Sequence, residues 1–155
     1  MRGKRLAATI VLAVAGTFCG TDAARGALSC TISAVGVSFG TYNVFSVTPL
    51  DSTGSVTYNC SGIVGSSRIT INLSKGGAAT FNPRQMKKVA ETLNYNLYLD
   101  AARTTIWGDT TGGTSQYGPI KPVSSNTITI YGRIPIGQDH TAGSYTDTVV
   151  ATINF

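Results

Sequence analysis

The chain has 155 residues, of which 42% are apolar, 12% are charged and 18 are glycine. This length suits one domain and excludes a multidomain assembly, and the low charge with many Thr, Val, Ile and Tyr favours β-structure over helix or disorder. The formal net charge of +5 makes nucleic-acid binding a candidate function, so the position of the basic residues matters.

The N-terminal segment has the pattern of a secretory signal peptide. Arg2, Lys4 and Arg5 precede an apolar run over residues 6–15. A membrane-spanning helix needs roughly 20 apolar residues, so this shorter run predicts export and no transmembrane segment. We expect residues 1–26 to be the signal peptide, with cleavage between residues 23 and 27, and residues 27–155 to form one domain.

Removal of this leader takes away most of the positive charge. Cleavage after Gly26 leaves eight Lys and Arg against six Asp and Glu. The remaining basic cluster, Arg84, Lys87 and Lys88, is too small for a nucleic-acid footprint, and we expect no nucleic-acid partner. We interpret the three residues as a solvated loop face, with a polyanion or surface contact as the alternative.

Two cysteines, Cys30 and Cys60, remain in the expected mature chain. An even pair in an exported protein predicts one disulfide. Closing a loop of this length stabilises a fold by about 3–4 kcal/mol through chain entropy. A zinc site would need further ligands, and the sequence contains one histidine, His140. We expect no metal and no other cofactor.

Six segments with alternating apolar and polar residues predict six β-strands. In chain order they are 30–39, with a bend near Ala34, then 56–60, 69–73, 95–99, 128–134 and 149–155. Residues 78–91 lack a firm period and predict a long connection, and residues 108–118 predict a glycine-rich loop. No segment has a convincing helical stripe.

Six such strands favour an all-β, antiparallel sandwich with Greek-key character, although a closed six-stranded barrel fits the same count. An immunoglobulin-like sandwich ordinarily has seven strands, and the sixth strand here ends at Phe155, the last residue. A sandwich that lacks one strand exposes a groove and an unpaired edge. We therefore predict an incomplete immunoglobulin-like β-sandwich whose seventh strand is donated by a partner.

The sequence offers little catalytic chemistry. Residues 51–54 resemble the Asp-Thr-Gly turn of aspartic proteases with the Thr-Gly displaced by one residue, and a turn explains them without catalysis. His140 lies in a polar loop, where a single histidine is usually solvated. Trp107, the sole tryptophan, is interpreted as a core residue or turn anchor, with surface adhesion as the alternative. We expect a binding function and no enzymatic activity.

Short motifs run through the whole expected mature chain: VSFGTY (37–42), GSVTYNC (54–60), LNYNLYLD (93–100), TIWGD (105–109), YGRIP (131–135) and GSYTDTV (143–149). In this order they resemble the spore coat protein U domain family, the pilin-like subunits of archaic chaperone–usher pili. The resemblance implies an exported pilus or coat subunit that supports adhesion or biofilm formation. It also implies three kinds of partner, namely a periplasmic chaperone, an outer-membrane usher and neighbouring subunits.

The same resemblance assigns residues. It pairs Cys30 with Cys60 as the family disulfide. It places the groove that receives the chaperone or donor strand along the C-terminal strand, at Val149, Ala151, Ile153 and Phe155, with the terminal carboxylate of Phe155 as the anchor for basic chaperone residues.

One feature departs from the family pattern of shaft subunits, which carry a donor segment before the first cysteine. The expected cleavage leaves three to six residues before Cys30, fewer than a strand and linker need. This predicts a subunit that accepts a strand without donating one, such as a terminal subunit. The alternative function is a self-contained secreted β-domain that binds a carbohydrate or another surface ligand.

Overall fold

The computed structural model describes residues 26–155, and every regular element in that range is a β-strand. The eight strands are β1 (Ser29–Val35), β2 (Leu50–Ser61), β3 (Ile69–Leu73), β4 (Arg84–Lys88), β5 (Glu91–Tyr98), β6 (Tyr117–Ile120), β7 (Ser125–Ile134) and β8 (Ala151–Asn154). No helix capable of spanning a bilayer is found in this range. The all-β prediction is confirmed, and the predicted signal peptide lies, apart from Gly26, outside the described residues.

The structure has two strands that the alternation pattern does not predict. β4 lies in the predicted connection 78–91, and it was missed because its sequence, Arg-Gln-Met-Lys-Lys, contains no β-branched residue. β6 follows the glycine-rich loop, and its Gly118-Pro119 pair is typical of a turn rather than a strand. β1 ends at Val35, close to the bend predicted at Ala34, and β8 begins at Ala151 rather than at Val149.

The strands form two antiparallel layers of unequal width. The wide sheet has five strands in the order β1-β2-β7-β5-β4, and the narrow sheet has three in the order β6-β3-β8. Alternate residues of each strand face inward, for example Val56 and Tyr58 of β2 and Ile130 of β7, and they meet Ile69 and Ile71 of β3 in the core. This arrangement confirms the predicted β-sandwich.

The predicted disulfide joins the first two strands. Cys30 of β1 lies directly opposite Cys60 of β2, and the two sulfurs are bonded. Cys60 is buried in the core. The disulfide therefore fastens the edge strand of the wide sheet to its neighbour.

A buried arginine connects the two layers on the side of β4. The Arg84 side chain is 0% exposed, and its guanidinium donates to the Ser74 carbonyl at 3.0 Å, to Asn96 Oδ1 at 2.8 Å and to the Trp107 carbonyl at 2.6 Å. Burial lowers the pKa of Arg84 to about 10, so the group stays charged at neutral pH. The interpretation of Arg84 as part of a solvated face is wrong, because its oxygen partners let the cation be buried.

Trp107 is also fully buried, and its indole Nε1 donates to the Ile71 carbonyl of β3 at 2.9 Å. The core interpretation of this residue is confirmed. Trp107 thus contributes a carbonyl to Arg84 and a side-chain hydrogen bond to the narrow sheet, so the two buried side chains act on the same contact between layers.

Replacing Arg84 by methionine is expected to lower the free energy of unfolding by about 3 kcal/mol or more, because three buried oxygens lose their donor. Denaturant unfolding of the oxidised domain measures this. The matched control is Lys87→Met on the same strand, whose exposed side chain should change stability by less than about 0.5 kcal/mol. Equal effects at the two positions would contradict the role assigned to Arg84.

After β1 the chain crosses the inner face of the wide sheet, and two glycines provide the room. A Cβ atom on Gly54 would lie 2.6 Å from the Val35 carbonyl oxygen, and one on Gly132 would lie 2.7 Å from the Phe39 ring. The Ser52 hydroxyl donates to the Ser38 carbonyl at 2.6 Å, which holds the crossing chain against β2. The close approach therefore requires glycine at both positions.

Gly132→Val is expected to displace residues 37–39 and to destabilise the domain by about 1–3 kcal/mol through overpacking. Denaturant unfolding gives the free energy, and near-ultraviolet circular dichroism reports the altered packing of the aromatic side chains. Thr129→Val, an exposed position on the same strand, is the control and should leave both signals unchanged. A well-tolerated valine at 132 would show that the crossing chain is not held against the sheet.

Candidate functional site: a groove between two walls

An open cavity of about 1100 Å³ runs along one side of the sandwich. Residues 34–44 form its first wall, and residues 140–149 form its second wall. Its floor consists of core residues of both layers: Val56, Leu73, Met86, Leu93, Tyr95, Leu97, Ile130 and Ile134. The cavity is thus a stretch of hydrophobic core that the chain leaves uncovered.

The position of the cavity follows from the unequal layers. The narrow sheet ends at β8, which pairs with β3 on one side. In the part of the chain that the structure describes, no strand pairs with the other edge of β8. The wide sheet continues beyond that edge, so its inner face is exposed there.

The four groove residues predicted from the sequence occupy different positions. Val149 and Ala151 line the cavity. Ile153 is half-buried against the core, one pair further along β8. Phe155 is 59% exposed and does not line the cavity, which extends from Ala151 toward the second wall. The structure brings two of the four together, and the assignment of all four to a binding groove stays a prediction.

Alternation did not identify the walls, because neither wall is a regular strand over most of its length. Two of the family-like motifs coincide with them, however. VSFGTY (37–42) lies in the first wall, and GSYTDTV (143–149) lies in the second wall. These motifs were the available sequence signal for the site.

Hydrogen bonds around Tyr42 close one end of the groove. The Tyr42 hydroxyl donates to the Pro135 carbonyl at 3.0 Å and accepts from the Gln138 amide at 3.1 Å. The Gln138 side chain also accepts from the Asn94 amide and donates to the Asn94 carbonyl, at 2.8 and 2.9 Å. Deeper in the groove, the Phe39 ring lies edge-on to Tyr95, with 6.0 Å between centroids. The first wall is therefore fixed to the loop after β7 and to β5.

The C-terminal half of the second wall is fixed by Asp147 and by backbone pairing. One Asp147 oxygen accepts from the Gly77 amide at 2.8 Å, and the other accepts from the Tyr95 hydroxyl at 2.7 Å. Burial, and then donation to this carboxylate, raise the pKa of Tyr95. Ser74 donates its amide to the Val150 carbonyl and accepts from the Val150 amide at its hydroxyl, both at 2.9 Å.

The N-terminal half of the second wall meets a charged group that we name the Glu91 cluster: Lys88, Glu91, Thr141 and Tyr145. The Thr141 hydroxyl donates to Glu91 Oε2 at 2.6 Å, and the Tyr145 hydroxyl donates to the same oxygen. These two donors hold the pKa of Glu91 below its usual value of 4.5, and the shared proton of Tyr145 raises the pKa of that phenol.

The chemistry of the groove suits an extended polypeptide. Its floor is apolar, and alternate side chains of a strand laid along β8 would point into it. His140, the candidate for a catalytic triad, lines the cavity and lies beside the Tyr145 ring at 5.9 Å. Across residues 26–155, no group of three or more His, Cys, Asp and Glu is placed to hold a metal ion.

Comparisons with known proteins agree with this geometry. Residues 17–152 match the model of the Spore Coat Protein U domain. The chain is 36% identical over 131 residues to Protein U of Myxococcus xanthus, which covers 77% of this chain and 71% of that protein.

Among solved structures, the CsuC–CsuE chaperone–tip adhesion subunit pre-assembly complex, from the archaic chaperone–usher Csu pili of Acinetobacter baumannii, contains a similar chain. The TM-score is 0.56, with 26% sequence identity over 83% of this chain, and this chain spans 40% of the length of the matched chain. These matches confirm the resemblance carried by the motifs, and the family they identify is structural rather than enzymatic. With 136 of its residues matched to the family model, this chain belongs to the Spore Coat Protein U domain family.

Proposed function

We propose that this chain is a subunit of a surface pilus or coat whose groove is filled by a β-strand from a partner, as in chaperone–usher assembly. The observation that carries the proposal is the uncovered apolar floor of about 1100 Å³ beside the free edge of β8. A donated strand would pair its backbone with that edge and place alternate apolar side chains on the floor.

The energetics favour such a partner. An uncovered core exposes apolar surface to water, and an unpaired strand edge invites non-specific association. A donor strand that buries several aliphatic side chains would stabilise the sandwich by about 1.5–3 kcal/mol for each side chain. The exposed Phe155 and half-buried Ile153 would also gain cover from a strand or chaperone that extends past the cavity.

We propose that a periplasmic chaperone occupies the groove first and that a neighbouring subunit replaces it at an outer-membrane usher. The similarity to a chain of a chaperone–tip adhesion subunit complex supports the chaperone and subunit partners. The disulfide Cys30–Cys60 and the signal-peptide pattern support export through the periplasm to the cell surface. Roles in adhesion or biofilm formation, and a terminal position in the fibre, remain predictions.

The proposal is tested by supplying the missing strand. A segment of about ten alternating Val and Thr residues is fused after Phe155 through a flexible linker, and thermal unfolding of the oxidised domain is measured. We expect the melting temperature to rise by more than about 10 °C, because apolar surface is buried. The control fusion carries Asp in place of Val. Equal melting temperatures for both fusions and the unfused domain would contradict the proposal and favour a self-contained binding domain.

A second variant pair locates the strand in the groove. Ala151→Asp places a charge on the cavity side of β8, and Thr152→Asp places the same charge on the exposed side. In the fused protein, Ala151→Asp should abolish the rise in melting temperature, because an unpaired carboxylate in an apolar site is strongly disfavoured. Thr152→Asp should retain the rise. Loss of the rise in both variants would mean that the fused strand stabilises the domain elsewhere.

A further inference from the structure

The second wall of the groove is held in two different ways along its length. From Thr146 to Val150 it is fixed by backbone hydrogen bonds, including a reciprocal pair with Lys87 at 2.8 and 3.0 Å. From residue 140 to residue 145, every hydrogen bond that ties the wall to the rest of the described chain ends on Lys88 or Glu91. The N-terminal half of this wall therefore depends on two side chains.

These contacts converge on one carboxylate oxygen. Glu91 Oε2 accepts from the Thr141 and Tyr145 hydroxyls and lies 3.9 Å from Lys88 Nζ. Lys88 Nζ donates to Thr141 Oγ1 at 2.6 Å and to the Ala142 carbonyl at 2.7 Å, and it lies 5.7 Å from the centre of the Tyr145 ring. Because the bonds share atoms, loss of the Glu91 carboxylate would weaken all of them together.

The position of the Glu91 cluster sets the direction in which it holds the wall. Lys88 and Glu91 close the β4–β5 hairpin, and β4 is the edge of the wide sheet opposite β1. The first wall enters from β1. The cluster thus keeps residues 140–145 at the far edge, away from the first wall, with the apolar side chains of Met86 and Leu93 between them.

An unfastened wall would have a favourable place to move. The floor of the groove is apolar and uncovered, so the hydrophobic effect favours the collapse of residues 140–145 onto it. A groove in that state would have to reopen before a strand could enter, and the fraction of competent molecules would limit the association rate.

We infer that Glu91 and Lys88 are positioning residues for strand capture, which hold residues 140–145 at the β4 edge and so keep the groove open for an incoming strand. This inference rests on the proposed function, because it concerns the rate at which the same groove is filled. It assigns to a charged pair outside the groove a role that neither the floor nor the free edge of β8 supplies.

The test compares Glu91→Ala and Tyr145→Phe with the unaltered domain. The probe is a fluorescein-labelled synthetic peptide of alternating Val and Thr residues, and stopped-flow anisotropy measures its association rate. We expect Glu91→Ala to lower that rate by about three- to tenfold and Tyr145→Phe to lower it less, since one donor is lost rather than the shared acceptor. The matched control is Asp51→Ala, which removes a carboxylate paired with Arg133 outside the groove.

Amide hydrogen exchange of the strand-free domain separates positioning from general destabilisation. In Glu91→Ala, exchange should accelerate at residues 141–145 and stay unchanged at residues 147–151 and in β7. In Asp51→Ala, residues 141–145 should exchange as in the unaltered domain.

The outcomes are distinguishable. Unaltered peptide entry in Glu91→Ala, or equal slowing in Glu91→Ala and Asp51→Ala, would overturn the inference while the proposed function stands. Slower entry with accelerated exchange confined to residues 141–145 would support it. If the unaltered domain takes up neither the peptide nor the fused strand, the proposed function fails and the inference fails with it.

Discussion

A β-sandwich is stable when each sheet covers the apolar face of the other, and in this protein three strands face five. The shortage lies beyond β8, where the inner faces of β5 and β7 have no opposing strand. Leu93, Tyr95 and Ile130, which would be ordinary core residues in a complete sandwich, form the floor of a groove instead. The walls, the closed end at Tyr42 and the proposed need for a partner all follow from this mismatch.

The opposite side of the sandwich compensates with a polar contact. The Arg84 guanidinium takes its hydrogen-bond partners from both layers, and one of them, the Ser74 carbonyl, belongs to the turn after β3. Ser74 in turn bonds Val150 through its amide and hydroxyl, just before β8. The buried cation is therefore connected through one residue to the strand that borders the groove. A polar centre of this kind holds the layers in register because its partners have fixed directions, which apolar contacts lack.

The sequence predicted those elements whose inner positions are apolar at every second residue. β2, β3, β5 and β7 meet that condition, and the even cysteine pair predicted the bond that joins β1 to β2. β4 escaped prediction because its most deeply buried residue is Arg84, whose burial depends on carbonyl groups from distant parts of the chain. The walls escaped for a related reason: residues 34–44 and 140–149 are placed by long-range hydrogen bonds, and only their motifs marked them.

The two halves of the second wall illustrate what a receptor for a strand requires. A wall paired through its backbone is rigid and defines where the strand lies, as between Thr146 and Val150. A wall held by partly exposed side chains, as at Lys88 and Glu91, is weaker and can yield while the strand enters. Pre-organisation lowers the entropy lost on binding, but a fully rigid groove would admit a long strand only slowly. Placing the rigid half beside β8 and the yielding half at the β4 edge allows one groove to be both open and accessible.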